Sequence, residues 1–125
     1  MSQRILSIEE SSLFISHRYD KGDKEYRFTV NGIISRSIDL DFSDVNLHLA
    51  FRDEKGRAIH KEESYISDCI FEGDQLEFSA NEYVPAKIFK KAVSVDFWAT
   101  GEIRTKSKKL AYKLKDSEVV ESSSS

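Results

Sequence analysis

The chain has 125 residues, a single cysteine and a formal net charge of −3. That length makes one domain with one core, the lone thiol excludes an intramolecular disulfide framework, and the acidic balance speaks against a dedicated nucleic-acid binder, whose affinity rests on phosphate contacts. Hydrophobic residues at 39%, among them eight Phe, five Tyr and one Trp, are too many for a disordered chain.

The N-terminus, MSQRILSIEE, places Glu9 and Glu10 where a signal peptide would run apolar. No run approaches the ~18 apolar residues of a membrane span. Together with the cysteine content, this predicts a cytoplasmic protein with no membrane partner.

In chain order, Leu13, Ile15, His17 and Tyr19 are the first set of large side chains at period two. The turn Asp20-Lys21-Gly22-Asp23 follows, then Tyr26, Phe28, Val30, Gly32 and Ile34 repeat the pattern. Residues 36–44 read as a polar loop, with Ile38, Leu40 and Phe42 hinting at a further strand. Val45, Leu47, Leu49 and Phe51 form the next strand, and Asp53-Glu54-Lys55-Gly56 turns it toward Ile59. Tyr65 and Ile66 put one apolar group on each face. After Glu72-Gly73-Asp74 come Leu76, Phe78 and Ala80. Tyr83 to Ala92 is the best helix candidate, with Val84, Ile88 and Ala92 spaced by four and Pro85 suited to a first helical turn. Val93, Val95, Phe97 and Ala99, then Leu110, Tyr112 and Leu114, close the series. Alternation of this kind buries one face of each strand. Short strands separated by such turns predict an all-β fold, an antiparallel immunoglobulin-like sandwich of about seven strands with a short helical crossover near residues 84–92. The sandwich is expected over 1–116, with a disordered Ser-rich tail over 117–125.

Few side chains sit in a pattern that frames chemistry. A three-residue hairpin with Gly56 in the left-handed position pairs Phe51 with Ile59, Ala50 with His60 and His48 with Glu62. On the outer face His48, His60 and Glu62 would then form a two-histidine, one-carboxylate metal site; two solvent-facing histidines are the plainer reading, since a one-residue slip flips every side chain. His17 has no visible partner. Asp39, Asp41 and Asp44 offer loop oxygens for calcium but lack an EF-hand's glycine and spaced glutamate, so a solvated loop is favoured. Cys69, flanked by Asp68 and Glu72, lacks the electropositive setting of a reactive thiol. No nucleophile elbow or phosphate-cradling loop exists, so no enzyme and no cofactor is expected.

The late segment with Arg104, Lys106, Lys108, Lys109, Lys113 and Lys115 is basic. It serves nucleic acid or an acidic partner, or it is a lysine-guarded edge strand, the plainer of these. Trp98 points away from the inward set of Val93, Val95 and Phe97, which marks either a second packing layer or a contact surface.

Phe28 to Ile34, Val45 to Gly56, Glu72 to Phe78 and Val93 to Phe97 together resemble the FxLYD-type immunoglobulin-like modules over residues 26–99. Ser35-Arg36-Ser37 departs from that family's Asn-x-Ser/Thr segment. The resemblance implies a sandwich with a binding or spacer role and carries over no catalytic residue. The expected function is a non-catalytic interaction module for another protein, or for a second copy of itself. Trp98, Tyr65, Arg104, Lys106, Lys108 and Lys109 are its candidate contacts. A ligand- or metal-binding domain and a nucleic-acid binder are the alternatives.

Overall fold

The computed structural model describes residues 6–37, 44–67, 74–101 and 105–122. Two antiparallel sheets pack face to face. The smaller holds β1 (Leu6–Ile8), β2 (Phe14–Asp20), β3 (Glu25–Arg36) and β6 (Gln75–Pro85). The long strand β3 lies in its middle, with β6 along one side and β1 and β2 in succession along the other. The larger runs β10 (Glu118–Glu121), β9 (Leu110–Lys113), β7 (Ala92–Gly101), β4 (Val45–Asp53) and β5 (Ala58–Ser67), with β8 (Thr105–Lys106) also on β7. The helical crossover is present as α1 (Ala86–Phe89), begun by Pro85, and it carries the chain from β6 in one sheet to β7 in the other.

Most of the alternating residues build the core as expected, although Val93, expected inward, is 47% exposed. Phe28, Val30 and Ile34 from β3 and Phe78, Ala80 and Val84 from β6 meet Val45, Leu47, Leu49 and Phe51 from β4 and Val95, Phe97 and Ala99 from β7. Phe28 meets Phe51 edge-on at 5.4 Å, an arrangement aromatic quadrupoles favour. Gly32 admits the close approach of Leu13, since a Cβ there would lie 2.9 Å from that side chain.

Several expectations change. About seven strands were expected, and β1, β8 and β10 add to them. The 117–125 tail is not wholly disordered: Glu118 to Glu121 pair with Lys113 to Leu110 as the outermost strand of the larger sheet. Val119 turns inward there, half-buried against the core. The basic strand β9 is therefore flanked on both sides, and the guarded-edge reading fails for it. Ile15, His17 and Tyr19 share the inner face with Val30, Phe28 and Tyr26. They stay partly or largely exposed because β2 lies at the edge of its sheet.

The hairpin register also shifts. The turn forms as expected, with Gly56 at φ +79° and Asp53 capping it through the backbone N–H groups of Lys55 and Arg57. A bulge follows, so Arg52 pairs with Ala58 and Phe51 with His60. One extra residue in one strand moves every later side chain to the opposite face. His60 and Glu62 consequently point inward.

Candidate functional site

The outer face of the larger sheet is built from four rungs that the strand registers set side by side. Tyr65, Asn46, Thr100 and Lys106 make the first. Glu63, His48 and Trp98 make the second. Lys61, Ala50, Asp96, Ala111 and Val120 make the third, and Arg52, Ser94, Lys113 and Glu118 the fourth.

Trp98 stands at the centre. His48 stacks on its indole at 5.3 Å and 10°, and the ammonium groups of Lys109 and Lys106 lie 4.5 and 5.5 Å from its ring centroid. His48 arrives from β4 and Lys109 from just ahead of β9, on opposite sides of β7. The ring is thus propped between neighbours, half-buried, with its rim outward. Each cation–π contact at such a site contributes on the order of 0.5–1 kcal/mol. His48 Nε2 is also hydrogen-bonded to Thr100 Oγ1 at 2.7 Å. Burial holds the His48 imidazole below its usual 6.5 against the opposing pull of Glu63, so it stacks as the neutral ring at pH 7. Burial and then the charge of Lys106 push the Lys109 ammonium below its usual 10.5.

Beneath this surface Asp96 is only 2% exposed. It accepts from Arg52 Nε and from Ser122 Oγ at 3.0 Å, which ties β4, β7 and the end of β10 together.

A second polar group lies between the sheets, at the seam of β5 and β6. His60 Nε2 and Glu62 Oε1 are 2.7 Å apart. Glu82, inward on β6, lies beside Ser64 and Glu62. Burial, then the charge of Glu62, raises the Glu82 carboxyl above its usual 4.5. A folded pKa above the unfolded one means the contribution to stability is complete below pH 4.5 and is lost as pH rises through the folded value. Glu82→Gln should therefore gain on the order of 0.5 kcal/mol at pH 7, the scale of a partly screened pair. The gain should vanish near pH 4. Thermal melts at the two pH values check this, and an equal change at both would contradict it.

Of the residues singled out from sequence, Trp98, Tyr65, Lys106 and Lys109 converge on one face. Lys108 instead pairs with Glu121 at 2.7 Å, on the adjacent strand. Arg104, Asp39, Asp41 and Cys69 lie outside the described residues, and Asp44 is exposed. The metal site proposed from His48, His60 and Glu62 is not assembled, because the bulge turns His60 and Glu62 between the sheets while His48 stays on the outer face. Among the described residues, no group of three His, Cys, Asp or Glu side chains is arranged to hold a metal ion. Also among them, no helix is long and apolar enough to cross a membrane. His17 packs against the Phe89 ring at 5.2 Å. Two site residues were missed. Extending the alternation Leu76, Phe78, Ala80 by one step would have placed Glu82 inward. Asp96 alternates to the outer face with Trp98, but nothing in its local sequence marks the burial that Arg52 and Ser122 bring.

No family model matches the sequence, and no curated protein does. Among solved structures, a calcium-binding mutant of Bacteroides uniformis beta-glucuronidase 2 superposes with a TM-score of 0.60 at 10% identity, over 87% of this chain and 14% of that one. The same enzyme covalently bound to cyclophellitol-6-carboxylate aziridine gives 0.58 at 11% identity, again over 14% of its length. An ApaA protein from Bordetella pertussis gives 0.43 at 11% identity, over 85% of this chain. The glucuronidase likeness is one of fold: this chain spans about a seventh of that enzyme.

Proposed function

We propose that this domain is a non-catalytic interaction module, immunoglobulin-like in layout, and that its partner docks on the outer face of the larger sheet with acidic groups toward Trp98. The observation that carries the reading is an outward tryptophan stacked on His48 and overlain by two lysines at the centre of a sheet face. Propped aromatics lose little entropy on binding and dominate interface energetics. The chain is acidic overall, yet Lys106 and Lys109 both lie over the Trp98 ring, with Lys61 on the neighbouring rung. A partner presenting carboxylates meets that charge.

The chain has one tryptophan, so indole emission reports this face alone. A hexaglutamate peptide should shift or quench the emission in low salt, with the effect lost at high salt, while hexalysine leaves it unchanged. No response to hexaglutamate would remove the acidic-partner reading. A stronger, salt-steep response to a single-stranded oligonucleotide would favour nucleic acid instead. Trp98→Ala should leave the fold intact, because the core is built from the opposite face of β7. A far-ultraviolet dichroism spectrum like the wild type's checks this, and unfolding would assign Trp98 to the core.

A further inference from the structure

The sheet edges are not alike. A free edge offers unpaired backbone groups to any passing strand, and proteins blunt such edges with charge, proline, bulges or brevity. The β5 edge has two register shifts and inward His60 and Glu62. The β6 edge has inward Glu82 and ends in Pro85. The β10 edge is four residues long with a glutamate at each end, and β1 is three residues long. Among the described residues the β2 edge carries Arg18, Asp20 and an inward His17, but it is neither short nor bulged. It runs seven residues, Phe14 to Asp20, in unbroken register with β3, with no lysine and no proline. Phe14 on one face is 67% exposed and Tyr19 on the other 44%.

We propose that β2 is a self-association edge, on which a second copy of this chain adds its own β2, antiparallel and two-fold about His17. That register is the one that pairs all seven residues. On the inner face it sets Ile15 opposite the partner's Tyr19, and Tyr19 opposite the partner's Ile15, an aromatic with β-branched pairing that sheets favour. On the outer face Ser16 meets the partner's Arg18, and Phe14 lies opposite the partner's Asp20 and diagonal to the partner's Arg18, within cation–π reach. Centring the pair on Arg18 instead would oppose two guanidiniums. The two-fold contact is isologous and closes at two copies, giving one continuous sheet across the dimer. Strand addition alone buries less than a standard interface, so a dimer of roughly micromolar affinity is expected.

Sedimentation equilibrium over a range of concentrations tests this. Wild type should show a reversible monomer–dimer equilibrium. Ser16→Lys, at an exposed site, sets a lysine opposite the partner's Arg18 twice by symmetry. It should weaken the dimer roughly tenfold while its melting curve stays that of the monomeric domain. Glu77→Lys, exposed on β6, should leave dimerisation unchanged. A wild type that stays monomeric into the high micromolar range, or a Ser16→Lys variant that dimerises as wild type does, would overturn the proposal.

Discussion

Phe28→Ala is expected to destabilise the domain by about 3–5 kcal/mol, the range for emptying a buried phenylalanine site. Phe28 is fully buried in the central strand of the smaller sheet. Its ring bridges the two sheets, meeting Phe51 of β4 at 5.4 Å and Tyr112 of β9 at 6.0 Å. Strands cannot collapse into the void without breaking their ladders, so the cavity persists. Since domains of this size are stable by about 5–15 kcal/mol, the loss takes a large share of the total. Urea unfolding should show a lower midpoint at an unchanged slope. A loss under 1 kcal/mol would mean that the two sheets do not pack through Phe28.

Arg52→Met is expected to cost about 3 kcal/mol, the lower end of the range for breaking a buried ion pair. The variant leaves Asp96, whose side chain is 3% exposed, without its guanidinium. The lower end applies because Arg52 keeps 22% of its side-chain surface in water. Ser122 still donates to Asp96, but a hydroxyl does not neutralise a carboxylate. Adding Asp96→Leu should return most of the loss, because the buried charge goes with its partner. A double-mutant cycle measures this. If Asp96→Leu adds its own full cost on top, the pair is not coupled.

Much of the sandwich was legible because its strands alternate cleanly. Val45, Leu47, Leu49 and Phe51 all reached the core, as did Val95, Phe97 and Ala99. Pro85 marked the crossover helix because its fixed φ suits a helix start. The candidate site was half legible. Trp98 could be placed outward by parity within its own strand. That Tyr65, Lys106 and Lys109 share its face depends on registers between strands far apart in the chain, which parity within a strand does not set. The hairpin failed for a local reason. The turn at Gly56 was read correctly, but the bulge at Ile59 leaves no compositional mark, and one residue carried His60 and Glu62 from the outer face to the seam. β10 went unread because Glu118 to Glu121 border a serine run and pair only through β9.

The proposed interaction role rests on Trp98 anchoring a protein partner. The most direct measurement is a pull-down from the source cell with tagged wild type and Trp98→Ala side by side, with mass spectrometry of what co-purifies. A protein held by wild type and lost by the folded variant is the expected result, as for an anchor whose removal costs about 2 kcal/mol or more of binding. Equal recovery of the same proteins by both baits would contradict it.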